Sequence, residues 1–161
     1  MKKIFVILVF ALMSVAAFAQ SGRDIYNKYS DEAGVQAVYI SPAMFRLIGT
    51  IPDLEVGDDK VNIGPLVEAL TGFYILDSEN PDINGKLRTE VERFISNGKY
   101  EMLMEVKDSG ETVRMYTMGN EKTVEGFVML AAEAAEVTFI CLDGKMPRKD
   151  FEALIAKAIN S

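Results

Sequence analysis

The second half of the chain carries the pattern that most restricts its fold. Residues 99–142 alternate apolar and polar side chains over short runs, and turn residues separate the runs. Alternation with period two is typical of half-buried β-strands. The pattern predicts four consecutive hairpin-linked strands, over residues 99–108, 112–118, 123–132 and 136–142, the last ended by Asp143-Gly144. The alanine-rich run at 129–136 also has strong helix propensity, so a helix there stays open as an alternative.

Helix signals surround this run of strands. Ser41-Pro42 and Asn80-Pro81 each place an N-cap residue before a proline, a common start of a helix. The full set of predicted helices covers residues 20–34, 41–49, 65–70, 80–97 and 147–159, with further strands at 35–40 and 73–76 and an irregular loop at 50–61. This mixture predicts a two-layer α+β domain, with helices packed on one face of a largely antiparallel β-sheet.

The first 19 residues have the three parts of a secretory signal peptide. Lys2 and Lys3 precede an apolar run from Ile4 to Val15, and Ala17-Phe18-Ala19 forms a small-x-small cleavage site. The apolar run is too short to span a bilayer stably, and no cysteine near the cleavage site could accept a lipid. We expect residues 1–19 to be removed, which leaves residues 20–161 as a single exported domain. The expected location is periplasmic or secreted, in a bacterium, with no lipid anchor and no transmembrane segment.

Three stretches of the chain resemble a known family. They are VYISPAMFRLI (38–48), KYEMLMEVKDSGETVRMYTM (99–118) and GFVMLAAEAAEVTFICLDGKMPRKDFEALI (126–155). Together they are similar to small exported bacterial proteins catalogued as domain of unknown function 4252. The resemblance implies export and a final hairpin, and it supplies no activity and no catalytic residue. The family usually turns this hairpin through an acidic segment containing glycine, where the present chain has Ala131-Ala-Glu-Ala-Ala135.

Composition excludes several classes of enzyme and partner. The chain contains no histidine, no tryptophan and one cysteine, which excludes Ser-His and Cys-His nucleophile pairs, histidine-ligated zinc and an intramolecular disulfide. Without Lys2 and Lys3, 15 basic residues face 24 acidic ones, a net charge of −9. Such a surface repels nucleic acid, and it leaves an envelope protein or a basic ligand as the expected class of partner.

Two groups of acidic residues are candidate sites. Residues 50–61 could offer calcium ligands through Asp53, Glu55, Asp58 and Asp59, but they lack the ligand spacing of a known calcium loop, so we interpret them as a solvated loop. Asp77, Glu79 and Asp82 follow a predicted strand, where active sites often lie. Acidic residues at a helix start are favourable in any case, so we interpret these three as part of a helix cap.

The remaining candidates are apolar or aromatic. Five methionines on predicted strands could bind copper(I), but their pattern favours core packing: Met102, Met104, Met115, Met118 and Met129. Cys141 lies in an apolar strand with no basic neighbour in sequence, which predicts a buried, inert thiol. Phe94 on the long helix and Phe127 on the sheet it covers are both expected to be buried. The tyrosines are candidate contact residues: Tyr26, Tyr29, Tyr39, Tyr74, Tyr100 and Tyr116.

The sequence favours an exported, non-enzymatic envelope protein that acts as a binding or interaction module. It identifies no catalytic, cofactor-binding or metal-binding residue. The alternative is a carboxylate-based hydrolase that acts on envelope polysaccharide. Two carboxylates that face each other in a cleft would favour the hydrolase. A sheet face or edge that exposes contiguous apolar surface would favour binding.

Overall fold

Eight strands and four helices make up the described part of the chain. The computed structural model describes residues 20–49, 54–56, 59–61 and 67–160, so the predicted signal peptide lies outside it. The helices are α1 (Gly22–Tyr29), α2 (Pro42–Gly49), α3 (Pro81–Asn97) and α4 (Arg148–Asn160). The strands are β1 (Val35–Ile40), β2 (Leu54–Val56), β3 (Asp59–Val61), β4 (Leu70–Ser78), β5 (Glu101–Asp108), β6 (Glu111–Gly119), β7 (Thr123–Ala132) and β8 (Val137–Pro147).

Six of the strands form one antiparallel sheet in the order β1-β4-β8-β7-β6-β5. The predicted α+β class and the four hairpin-linked strands are confirmed. The helix alternative at 129–136 is wrong: the amide of Glu133 donates to the carbonyl of Glu136 in the turn between β7 and β8. Asn84 Nδ2 on α3 donates to Ala135 O at 2.8 Å, which ties this turn to the helix.

Several boundaries differ from the sequence prediction: the first helix covers Gly22–Tyr29 instead of residues 20–34, and β4 covers Leu70–Ser78 instead of residues 73–76. Asp143-Gly144 does not end β8, because Gly144 adopts a φ of +157° and the strand continues to Pro147. Within the loop predicted at 50–61, β2 and β3 pair as a two-stranded ribbon. Of the helix predicted at 65–70, residues 67–68 are helical, Leu70 already belongs to β4, and residues 65–66 lie outside the described part.

Helices cover both faces of the sheet. Val128 and Phe139 belong to a core cluster shared with α1 and α3, and we call this side the α3 face. Phe127 and Leu142 point the opposite way, because successive strand residues alternate, and they pack with Phe151 of α4 on the α4 face. The prediction that the helices share one face is therefore wrong for α4. Both faces of β7 and β8 are apolar, so both need a covering layer.

The two helices of the α3 face are joined at a single carboxylate. Glu90 of α3 accepts hydrogen bonds from Gln20 Nε2 at 2.6 Å, Lys28 Nζ at 2.5 Å and Tyr29 Oη at 2.6 Å. Burial alone would raise the pKa of Glu90, but these hydrogen bonds outweigh it and hold the pKa below its ordinary value. Glu90 therefore fixes α1 against α3.

Both helices begin with a side-chain cap, and the sequence analysis predicted the one at α3. Ser21 and Asp24 form a reciprocal capping box at the start of α1. At α3, Asn80 Oδ1 accepts a hydrogen bond from the amide of Asp82, and Pro81 occupies the first turn. The cap-plus-proline signal at residues 80–81 is thus confirmed.

Candidate functional site

The outer strand β5 exposes apolar side chains along an unpaired edge. Met102 is 52% exposed, Leu103 46% and Val106 45%. The prediction of core packing is wrong for Met102, and Met104 is only half-buried. The reason is strand order: β5 pairs with β6 on one side, and no strand of the described residues lies on its other side. An edge strand offers free backbone donors and acceptors, so this edge is open to a further strand.

An apolar groove adjoins this edge on the α4 face. The groove has a volume of about 300 Å³. We call it the β5–α4 groove; its apolar walls are Leu103, Met104, Met115, Phe151, Ile155 and Ala156. Arg148 and Glu152 stand at its polar margin, with Arg148 Nη1 3.6 Å from Glu152 Oε1. Apolar walls with a few polar groups at the rim are typical of a binding groove.

A local irregularity in β5 directs Leu103 into the groove. Met102 pairs with Tyr116 and Met104 pairs with Met115, so Leu103 has no partner of its own on β6. Such a β-bulge bends a strand and re-aims a side chain. Leu103 and Met104 consequently both line the groove, which regular alternation would not allow.

Charged side chains hold β5 on its other face. Arg114 Nε of β6 donates to Glu105 Oε2 at 2.7 Å, and Arg114 Nη1 lies 3.4 Å from Glu92 Oε1 on α3. Lys107 Nζ lies 2.9 Å from Glu105 Oε1. The hydrogen bonds from Arg114 and then Lys107 lower the pKa of the Glu105 carboxyl. The α3 face of β5 is therefore neutralised by ion pairs, while its α4 face is apolar.

The acidic cap residues do not form a cleft. Asp77 accepts a hydrogen bond from Thr138 Oγ1 at 3.1 Å on the sheet, whereas Glu79 and Asp82 are exposed at the start of α3. The negative charge of the Asp77 carboxylate, with Glu133 and Glu79 nearby, raises the pKa of Glu136. The pair lies at the end of the sheet where β4 ends and β8 begins.

The acidic loop gives no metal site within the described residues. Glu55 of β2 is paired in register with Lys60 of β3, and Asp59 starts β3. Asp53 and Asp58 lie outside the described residues. In the described part of the chain, no three Asp, Glu, Cys or His side chains come close enough to hold a metal ion.

Cys141 is buried, as predicted. Burial raises the pKa of its thiol, and the adjacent Asp143 raises it further. The thiol Sγ lies 3.8 Å from Asp143 Oδ1, and Gly22 of α1 packs directly against it. Sequence reasoning treated Asp143 only as a turn residue and missed that it is a half-buried carboxyl beside this thiol. No local sequence signal distinguishes the two cases, because Asp-Gly is also common in turns.

The tyrosines are divided between core and surface. Tyr29 and Tyr74 are buried, while Tyr39 is exposed and stacks on Tyr74 with ring centroids 5.3 Å apart. Tyr26 completes this aromatic cluster, 5.7 Å from Tyr74. Tyr100 and Tyr116 are half-buried against the α3-face core. Most of the tyrosine candidates are therefore packing residues, with Tyr39 the most accessible.

The family comparison covers most of this architecture. A family model described as Domain of unknown function (DUF4252) matches residues 29–154. The chain belongs to this family. No curated protein and no solved structure matches the chain.

The DUF4252 segment begins at the last residue of α1 and ends inside α4. It contains every strand of the sheet, the whole of β5 and the Phe151 wall of the groove. The likeness noted from residues 38–48, 99–118 and 126–155 is thus confirmed as membership of DUF4252. Among the helices of the described residues, none is long and apolar enough to cross a membrane.

Proposed function

We propose that this chain is an exported, non-enzymatic binding module that holds a protein partner at the β5 edge and the β5–α4 groove. The observation that carries the proposal is the contiguity of the two features: exposed Leu103 and Val106 lie on the α4 face of a strand whose outer edge is unpaired among the described residues, and Leu103 itself lines the apolar groove. Contiguous apolar surface of this kind favours protein association.

The mode of binding follows from the geometry of the edge. A partner segment in extended conformation can add a strand to β5, which satisfies the free backbone groups of both. Its alternate side chains then fall over the groove, where Phe151 and Ile155 offer an apolar floor. Burial of such side chains provides affinity, and the backbone ladder provides register.

The charge of the strand indicates the chemistry of the partner. Besides its ion-paired Glu105 and Lys107, β5 carries Glu101 and Asp108, which are exposed at its two ends. The chain as a whole is acidic. An extended segment with apolar side chains and flanking basic residues is therefore the complementary partner.

Export is supported by the N-terminal sequence. Residues 1–19 have a charged start, an apolar centre and a small-x-small end. We propose cleavage after Ala19 and release into the periplasm or the medium without a lipid. The intact mass of the protein recovered from the producing cells tests this: a retained N-terminus or an added acyl mass would contradict it.

The hydrolase alternative gains less support. Its pair of carboxylates has to flank a scissile bond within a cleft. The neighbouring carboxyl groups of Asp77 and Glu136 lie at an end of the sheet beside the exposed Glu79 and Glu133. We therefore favour binding over hydrolysis.

Two valines of equal exposure give a matched test of the binding surface. Val106 on β5 is 45% exposed, and Val38 on the opposite edge strand β1 is 47% exposed. In the test, immobilised mature protein is incubated with an envelope extract of the producing cells. The captured proteins are then identified by mass spectrometry. We expect Val106→Lys to lose the captured protein and Val38→Lys to retain it, with circular dichroism unchanged in both. Equal capture by the two variants would refute the assignment of the surface.

A further inference from the structure

A second site lies at the far end of β8, where Asp143 is flanked by glycines. Asp143 is paired in register with Gly72 on β4 and with Gly126 on β7. Both neighbours lack side chains, so the space beside the carboxyl on the α3 face is free for other groups. Two tyrosines use that space.

Each glycine lies directly beneath a phenol. A Cβ at Gly72 would lie 2.6 Å from Tyr74 Oη, and a Cβ at Gly126 would lie 3.0 Å from Tyr100 Oη. Both hydroxyl groups thus sit over the residues next to Asp143, one on each side. Burial raises the pKa of Tyr74 and of Tyr100, and the Asp143 carboxylate contributes to both shifts. The phenols therefore stay protonated and are close enough to sense the charge of Asp143.

No basic side chain neutralises this carboxyl within the described part of the chain. Asp143 takes part in none of the ion pairs found there. Burial raises its pKa, and the hydrogen bond from the Cys141 thiol opposes that shift only in part. A half-buried carboxyl that lacks a cation is costly to ionise, so it gains free energy when a cation arrives.

The carboxyl is reached from outside through a shallow pocket. The pocket has a volume of about 520 Å³ and is lined by Ala69, Thr71, Met118, Glu125, Asp143, Gly144 and Lys145. Met118 also lies beside Gly126, the glycine covered by Tyr100, so the pocket and the phenol adjoin. Its volume is within the range of small-molecule sites.

We propose that this pocket binds a protonated primary amine, with the ammonium group at Asp143 between the Tyr74 and Tyr100 hydroxyls. An ammonium group has three N–H donors; the Asp143 carboxylate lines the pocket, and the two phenolic oxygens over the flanking glycines are further acceptors beside it. Glu125 adds a second negative charge to the lining, so its two carboxyl groups outnumber the one ammonium group of Lys145, and Met118 and Ala69 offer apolar contact for an alkyl chain. A divalent metal would require more ligating groups than Asp143 and Glu125 bring, and the described residues contain no cluster of three.

Binding should be coupled to loss of a proton. The fraction of Asp143 that is protonated must ionise to hold an ammonium group, so binding releases protons and weakens as the solution is acidified toward the pKa of Asp143. The charged and titratable groups around it are Cys141 and Lys145 on β8, Glu125 on β7, the two phenols, and Arg23 of α1, which acts on Tyr74. Of these, Asp143 is the half-buried carboxyl with a raised pKa.

Calorimetric titration of the mature protein with n-butylammonium chloride tests the site. We expect millimolar-range affinity, on the order of what about five heavy atoms can supply. Asp143→Asn should weaken it about tenfold or more, the loss expected for a charge-assisted hydrogen bond. Asp77→Asn, at another half-buried carboxyl of the same sheet, is the matched control and should keep full affinity. Tyr100→Phe should weaken binding while Tyr116→Phe leaves it unchanged.

Further probes separate the outcomes. A second titration with Nα-acetyl-lysine amide distinguishes a lysine side chain from a small free amine as the ligand. Binding of either amine more tightly than n-butanol supports the ammonium site. When the titration is repeated in two buffers of different ionisation enthalpy, the measured binding enthalpies should differ in proportion to the number of protons released. The proposal is overturned if n-butanol binds as well as n-butylammonium, if calcium alone binds, or if Asp143→Asn binds n-butylammonium like the wild type. Since Asn removes a costly charge, Asp143→Asn should melt no lower than the wild type, so a loss of binding reports on the site rather than on folding.

Discussion

Replacing Phe127 by alanine tests the two-faced architecture most directly. Its ring is 6% exposed on the α4 face and lies 5.5 Å from the ring of Phe151 on α4. Removal of a buried phenylalanine ring costs about 3–5 kcal/mol through lost transfer free energy and the remaining cavity. For a domain of this size each kcal/mol lowers the melting temperature by about 2–4 °C, so the expected drop is about 6–20 °C. Because the chain has no tryptophan, urea denaturation is followed by far-UV circular dichroism.

The controls come from both faces of the sheet. Phe94 is 7% exposed on the α3 face, and its replacement by alanine should lower the free energy of unfolding by a similar amount. Exposed Val38→Ala should stay within about 0.5 kcal/mol. A double-mutant cycle should give coupling of about 0.5–1.5 kcal/mol between Phe127 and Phe151. Phe127 and Phe94 should show almost none, because the sheet separates them. A cost below about 1 kcal/mol for Phe127→Ala would refute the placement of α4.

The remaining predictions concern charge and metal. Glu90→Gln should destabilise the protein at neutral pH. Because the pKa of Glu90 in the folded state is lowered from 4.5, the difference in stability from wild type should disappear as the pH falls through that lowered pKa. Urea denaturation midpoints at several pH values measure this difference. Asp77→Asn and Glu79→Gln should cost at most about 1 kcal/mol and leave any cellular phenotype intact; loss of the phenotype at unchanged stability would revive the hydrolase. EDTA should not change the melting temperature, since the described carboxylates form no metal cluster; a large drop on chelation would establish a structural metal.

The sequence predicted local structure well where the signal is local. Strand β1 at 35–40 and the start of α3 at Asn80-Pro81 follow from β-branched composition and from a cap next to a proline. The hairpins follow from period two and turn residues. These features depend on neighbours within a few residues, so one chain segment contains all the information that they need.

Strand order and the choice of face could not be predicted in this way. Met102 alternates like a core residue, yet it is exposed because β5 is the last strand of the sheet. Whether a strand is central or at an edge depends on pairing between distant segments, which periodicity does not reveal. The groove was missed for the same reason: it requires a bulge at Leu103 and a helix from the far end of the chain on the α4 face. Asp143 looked like a turn residue, because an Asp-Gly pair within a strand has the same local sequence.

The pairing of β4 with β8 divides the sheet into two parts with different folding requirements. From β5 to β8, each strand pairs with the next one along the chain through a short turn. The β4–β8 pair instead joins residues as distant as Leu70 and Gly144. Closing so long a loop has a large entropic cost before any contact compensates for it. The meander β5–β8 can therefore assemble first from local contacts, and docking of β1, β4 and their helices completes the domain. Until that step β8 has a free edge, so the interval between the two events is when the chain is most exposed to aggregation.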